Sequence, residues 1–167
     1  GMIVMKSQQV ETAFMQFICL MKYMYTNPTK EAIPVEEEID YIRQYIEIQK
    51  YRTENKDSIQ LSYYNDNKRQ GLQIVPMLLI TFVENAIKYG LSSTDDRQVY
   101  IVIRIEDGTL FFSTQNQKPT DRRGHSAGIG ISNCRKRLEL AYPKRHKLEI
   151  NDADGLYTVL LSITLIN

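Results

Sequence analysis

Apolar residues return along this chain with two periods, and the switches between them mark out its elements. Residues 8–25 place Phe14, Phe17, Ile18 and Met21 on one side of a helix, which the stretch Asn27-Pro28-Thr29-Lys30 ends. Residues 35–53 repeat the pattern through Ile39, Ile42, Ile46 and Gln49. Pro34 precedes them, and Glu36, Glu37 and Glu38 fill the first turn, where negative charge suits the helix dipole. Residues 58–64 alternate as a strand, and residues 66–71 are a polar loop. A third helix is predicted over 76–89, from Pro76 to a stop at Gly90, with Leu79, Phe82, Val83 and Ala86 at core spacing. Residues 98–106 and 110–115 form a hairpin about Asp107-Gly108. A polar stretch over 116–127 leads into a helix carrying Ile131, Cys134, Leu138 and Ala141, which ends near Tyr142-Pro143. Strands over 147–151 and 156–166 close the chain through Asp152-Ala153-Asp154-Gly155. The order of elements predicts an α+β two-layer sandwich, an antiparallel-rich sheet with helices on one face.

The third helix carries a second pattern. Thr81, Glu84, Asn85 and Lys88 fall at i, i+3, i+4 and i+7, one narrow polar stripe on an otherwise apolar helix. Such a helix is mostly buried, so the stripe faces solvent or a lined cavity. Asn and Glu offer hard oxygen ligands of the kind magnesium takes, and Lys88 adds a cation one turn on, where a phosphate would sit. Taken alone, an ordinary solvated stripe explains these residues equally well. About forty residues later, Gly124-His125-Ser126-Ala127-Gly128-Ile129-Gly130 opens a helix. Glycines at a helix start let a ligand approach the backbone, and the free N–H groups of the first turn attract phosphate oxygens. A lone Gly-x-Gly is a weak signal, since a plain flexible loop gives the same pattern. The full order (acid–amide helix, two strands, polar loop, glycine pair, helix with Arg135 and Arg137) is specific.

Composition narrows the classes. A chain of 167 residues with 43% hydrophobic and 25% charged content is one ordinary domain with a short helical preface. A net charge of +1 selects no partner. The basic residues Arg135, Lys136, Arg137, Lys144, Arg145 and Lys147 read as a solvated face rather than a nucleic-acid surface. Cys19 and Cys134 lie on separate helices without metal-ligand spacing and read as reduced, packed thiols. No apolar run reaches membrane-spanning length and no signal-peptide pattern appears, so no direct membrane contact is expected of this fragment. Gly1 ahead of Met2 reads as a tag remnant, with Met2 either a native initiator or an internal residue.

These parts resemble the ATP-binding domain shared by sensor histidine kinases, gyrase B, the Hsp90 chaperones and MutL, the GHKL or Bergerat fold. The resemblance is closer to the LytS/YehU-type sensor histidine kinases. Their N box, ENAIKHG, is similar to Glu84-Asn85-Ala86-Ile87-Lys88-Tyr89-Gly90, with Tyr89 for histidine. Their GIGLxNxxxRL box is matched by Gly128-Ile129-Gly130-Ile131-Ser132-Asn133, then Arg137-Leu138. Upstream, Glu38-Ile39, Tyr45-Ile46 and Arg52 follow the family pattern, and Leu20-Met21-Lys22-Tyr23 echoes its LLRY segment.

The resemblance covers the chain from about residue 17 onward, and it implies the following. Residues 1–30 would be the end of a dimerisation and phosphoacceptor region, and residues 31–167 the ATP-binding domain. ATP and magnesium would be the cofactors. Asn85 would ligate the metal, Glu84 would polarise a coordinating water or the nucleophile, and Lys88 with the amides of Gly128, Ile129 and Gly130 would hold phosphates. Asn116 would meet adenine, with Tyr89 and Thr158 as further ATP contacts. The stretch over 116–127 would be the ATP lid. In the full system the γ-phosphoryl group would pass to a histidine supplied by another segment, then to a response regulator. The setting would be cytoplasmic, with a homodimer formed through the N-terminal helix and no role for nucleic acid.

The chain also departs from the family. An NPHFLFN-type phosphoacceptor box is absent, and the two histidines, His125 and His146, lack its context. Asn116 stands where the adenine-reading aspartate belongs, and Lys118 and Thr120 replace that box's glycines. The C-terminal Gly-x-Gly-Thr box is reduced to Gly155-Leu156-Tyr157-Thr158. A degenerate, non-catalytic domain serving as a regulatory protein-interaction module therefore competes with the kinase. An ATPase of the gyrase or Hsp90 sort competes less well, because Thr81 occupies the place of its catalytic glutamate.

Overall fold

The computed structural model describes residues 14, 31–51, 53, 55–91, 97–118 and 128–166, with the backbone alone for 128 and 129. The helix expected over 8–25, apart from Phe14, lies outside the described residues, as do Cys19, Arg52 and the expected lid from residue 119 to 127 with His125.

The described chain builds two layers. Strand β1 (Ile33–Pro34) leads into helix α1 (Val35–Lys50), and a short 3-10 turn (Lys56–Ser58) enters β2 (Ile59–Asn65). Then come β3 (Gln73–Ile74), helix α2 (Leu79–Gly90), β4 (Val99–Glu106), β5 (Thr109–Gln117), helix α3 (Gly128–Ala141), β6 (His146–Ala153) and β7 (Leu156–Thr164). Five strands form one sheet in the order β2-β4-β5-β7-β6. The pair β2–β4 is parallel and the others are antiparallel. Parallel neighbours need a crossover, and α2 lies within it, so the helix with the polar stripe is locked to the sheet at both ends.

Alternation makes the layers. On β4, Val99, Ile101, Ile103 and Ile105 are buried while Tyr100, Val102 and Arg104 are exposed, and Leu110, Phe112 and Thr114 continue the buried face on β5. Helix α2 buries Leu79, Ile80, Phe82, Val83, Ala86 and Ile87 against that face. Each large side chain so buried stabilises the fold by about 1.5–3 kcal/mol. Phe82 meets Phe112 of β5 with ring centroids 6.0 Å apart. The β4–β5 hairpin turns at Asp107 (φ 46) and Gly108 (φ 77), left-handed at both central positions as a type I′ turn requires.

Two features depart from the sequence expectation. A small second sheet, with Ile33 opposite Ile74, ties the start of α1 to the approach of α2. Helix α2 begins at Leu79 rather than near Pro76, because Met77 is left-handed (φ 58) and cannot continue a right-handed helix.

Candidate functional site

Opposite its buried side, α2 holds Thr81, Glu84 and Asn85 half-buried and Lys88 exposed. The first turn of α3 lies across this stripe. A Cβ on Gly130 would stand 3.7 Å from Asn85 Nδ2 and 3.7 Å from Thr81 Cγ2. The carboxamide and the glycine start of α3 therefore face one another at van der Waals spacing, with no side chain of residue 130 between them. Asn85 Nδ2 is buried without a hydrogen-bond partner. Leaving a buried polar group unsatisfied costs about 1–3 kcal/mol, and turning a carboxamide over exchanges its nitrogen for its oxygen. Glu84 sits beside it, and burial pushes its carboxyl above the ordinary glutamate range. Lys88 Nζ lies 5.1 Å from the centre of the Tyr89 ring.

A second orphaned amide lies at the other end of α2. Gly90 ends the helix against β4 and β5, where a Cβ would stand 2.5 Å from Asn116 Cβ and 2.8 Å from Val99 Cγ2. Only a glycine lets the strand come this close. Asn116 is 2% exposed; its Nδ2 donates to the Gln117 carbonyl at 3.1 Å, while its Oδ1 is buried and unpartnered. Gly90 follows Asn85 by five residues, roughly 7.5 Å along the axis. Unsatisfied amides thus mark both ends of the last stretch of α2, and the one at Asn85 lies beside the N-terminal turn of α3.

The remaining expected contacts divide. Gly128, Ile129 and Gly130 all fall in the first turn of α3, where backbone N–H groups lack helical partners. Thr158 is not brought to the site. It pairs with Gln115, so it lies on the outer face of the sheet, and the residue opposite Asn116 is Tyr157. The expectation that Thr158 contacts ATP is corrected accordingly: alternation of Tyr157, Val159, Leu161 and Ile163 on the inner face turns the threonine away. Burial raises the Tyr157 phenol, and the nearby Arg135 charge opposes the shift. At the root of the expected lid, the Lys118 N–H donates to the Gly155 carbonyl at 2.8 Å, and Lys118 pairs with Asp152.

Sequence reading also missed a set of groups at the start of α2. Glu38, 0% exposed, accepts from the N–H groups of Met77 (2.9 Å), Leu79 (3.0 Å) and Ile80 (3.3 Å). Arg137 of α3 donates to the carbonyls of Pro76 and Met77. The Tyr142 hydroxyl accepts from the Val75 N–H at 2.9 Å. The available signal was Glu38 itself, one carboxylate in the buried stripe Val35, Glu38, Ile42, Ile46, Gln49.

The residues fit a magnesium-bound nucleotide. The unpartnered atom of Asn85 is its Nδ2, a donor, so the side chain offers magnesium its oxygen there only when turned over; helix-start amides suit phosphate, and the orphaned Asn116 acceptor suits an exocyclic amino group. A shallow trough of about 430 Å³, lined by Val102, Arg104, Phe111 and Leu160, lies on the outer face of the sheet and takes no part. Among the described residues no helix is long and apolar enough to cross a membrane.

Comparison with known proteins bears on the fold and the kin of this chain. A family model described as histidine kinase matches residues 1–57. The sensor histidine kinase YesM of Bacillus subtilis (strain 168) is 27% identical over 128 residues, which cover 73% of this chain and 22% of YesM. The chain therefore spans about a fifth of that relative. The catalytic domain of histidine kinase ThkA, in a nucleotide-free form, superposes with a TM-score of 0.53 at 19% identity, covering 80% of this chain and 94% of that one. The histidine kinase domain of the Erythrobacter litoralis blue-light-activated kinase EL346 gives a TM-score of 0.53 at 16% identity, covering 98% and 84%. Full-length ShkA, solved in complex with AMPPNP, gives 0.52 at 14% identity, covering 94% and 37%. At these identities the solved structures speak for the fold, a mixed five-stranded sheet with helices on one side. Family model, relative and fold point the same way: the chain is similar to histidine kinases, and its described residues take the fold of the histidine kinase catalytic domains.

Proposed function

We propose that this domain binds magnesium–ATP between α2 and the first turn of α3. In the full protein it would supply the γ-phosphoryl group to a histidine carried by another segment. The observation that supports this most is the unsatisfied Asn85 carboxamide 3.7 Å from the position a Gly130 Cβ would take. In this reading Asn85 ligates the metal, Lys88 and the amides of Gly128 to Gly130 hold phosphates, and the Asn116 oxygen accepts from the adenine amino group. Tyr89 flanks Lys88 at the rim. Magnesium, when bound, neutralises phosphate charge. Glu84, next to Asn85 in the chain, would polarise a water or the incoming imidazole. The histidine nitrogen attacks the γ-phosphorus, a nitrogen–phosphorus bond forms, and the bond to the bridging oxygen breaks to release ADP. Such a transfer depends on positioning and charge neutralisation more than on covalent help from the protein.

The wider assignment follows the relatives. ThkA has been solved in complex with a response regulator and ShkA with AMPPNP, and we extend both partner classes to the full form of this protein. A homodimer through the N-terminal segment and a cytoplasmic setting belong to the same proposal. One observation favours the second reading, a regulatory module without turnover: Thr158 faces away from Asn116, and a tyrosine, Tyr157, stands opposite it in place of the threonine. A thermal-shift scan with magnesium–ATP and ADP separates the two. A ligand at one hundred times its Kd stabilises the native state by about 2.7 kcal/mol, so nucleotide should raise Tm clearly. An unchanged Tm across the scan would remove the ATP assignment.

A further inference from the structure

The turn that launches α2 is held from two other helices by charged side chains that do not reach the nucleotide site. Its backbone is strained, with Met77 in the left-handed region (φ 58) where a residue with a side chain is disfavoured. From α1, the buried Glu38 carboxylate takes the N–H groups of Met77, Leu79 and Ile80, three of the donors a helix start leaves open. From α3, Arg137 takes the carbonyls of Pro76 and Met77 on the other side of the same turn. The Tyr142 hydroxyl, just past α3, takes the Val75 N–H. Thr81 Oγ1 adds a bond to the Met77 carbonyl at 3.1 Å. Nearly every polar group of this turn is thus committed to a side chain.

The geometry of a helix gives this clamp a consequence downstream. Asn85 lies six residues after Leu79, about 9 Å along the axis, and each residue advances the helix by roughly 100°. Restarting α2 one residue early or late would swing Asn85 off the face that meets Gly130. Glu38 fixes where the helix starts, and Arg137 ties that start to the helix whose own first turn holds Gly130. We infer that Glu38 and Arg137 are positioning residues for the nucleotide site, setting the phase of α2 so that the Asn85 carboxamide faces the glycine start of α3. The inference rests on the reading of that site as a magnesium–nucleotide site. It adds that the metal contribution to binding depends on two side chains remote from the ligand.

The test compares AMPPNP binding to the 167-residue chain in magnesium chloride and in EDTA, by calorimetry, for wild type, Glu38→Gln, Arg137→Lys and Ile42→Val. Glutamine keeps the size of Glu38 but turns an NH2 group toward backbone donors. Lysine keeps the charge of Arg137 but loses the two-carbonyl fork. Supporting groups around a metal ligand typically govern its affinity by tenfold or more, so the gain from magnesium should fall about tenfold in Glu38→Gln and by a smaller factor in Arg137→Lys. Magnesium-free affinity should change less than about twofold, because base and backbone contacts remain. Ile42→Val, a core change on the same helix, should lower Tm and leave the magnesium gain intact; this separates phase-setting from general destabilisation. If Glu38→Gln does not fold, Arg137→Lys decides. Wild-type magnesium dependence retained in the folded variants overturns the inference and leaves the nucleotide reading standing. Absence of AMPPNP binding by the wild type removes both.

Discussion

Gly130 and Gly90 do different work, and their substitutions should separate accordingly. At Gly130 a Cβ would meet Asn85 and Thr81 at ordinary contact distance, so Gly130→Ala should fold and bind with little change. Gly130→Val puts two methyl groups into the space between the carboxamide and the helix start, and nucleotide binding should be lost in a protein that remains folded. Wild-type affinity in the valine variant would contradict the placement of phosphate at α3. At Gly90 a Cβ would collide with Asn116 and Val99, so Gly90→Ala should cost about 1–3 kcal/mol by overpacking and weaken nucleotide binding together with stability. Urea unfolding alongside calorimetry reads both effects.

Glu84 allows a prediction with a sign. Burial raises its folded pKa above the unfolded value, so the charged form is penalised in the native state. That penalty is fully present above the folded pKa and is relieved as pH falls through the ordinary glutamate range. Glu84→Gln should therefore raise Tm at neutral pH, with the gain shrinking to nothing below the unfolded carboxyl pKa, while the phosphoryl transfer proposed for the full protein should be lost. A Tm gain independent of pH would point to packing instead.

At the scale of elements, most of the fold could be read from periodicity. The α1, α2 and α3 stripes and the alternation on β4, β5 and β7 each carry a period long enough to be decisive. What escaped was non-local. A single alternating strand does not say which neighbour it takes, so the parallel placement of β2 beside β4 was not legible. Two-residue strands such as Ile33–Pro34 have no period at all. Pro76 marked a helix start that the left-handed Met77 displaces to Leu79. Glu38 looked like one more first-turn carboxylate among Glu36 and Glu37, and only the tertiary structure shows it capping a different helix. The stripe of Asn85 and the glycines before α3 were legible because their residue types announce their chemistry. The outward face of Thr158 could have been seen from alternation, but the motif comparison masked it.

The junction of α3 with the turn before α2 also yields a prediction. Tyr142 is 1% exposed, and its hydroxyl is a hydrogen-bond partner of the Val75 N–H. Tyr142→Phe leaves a partly buried donor unsatisfied and should cost about 1–3 kcal/mol in denaturant unfolding. A neutral result would mean that water takes over the bond, and the turn would be less rigid than its contacts indicate.

The whole molecule presents α2 as the crossover between two parallel strands, packed on the sheet and crossed at its start by α1 and at its polar stripe by α3. Each of the three helices among the described residues touches the candidate site or the turn that launches it. The 167-residue chain should bind nucleotide without phosphorylating itself, because it lacks the phosphoacceptor box. Incubation with γ-labelled ATP should leave the protein unlabelled, and stable label on His125 or His146 would contradict that division of labour. The most direct test of the whole account is calorimetric titration of magnesium–ATP into the wild-type chain and into Asn85→Ala. The account predicts saturable binding with a Kd on the order of micromolar or weaker for the wild type, and none for the variant. Titrations that show no wild-type binding, or equal binding by a folded Asn85→Ala, would contradict it.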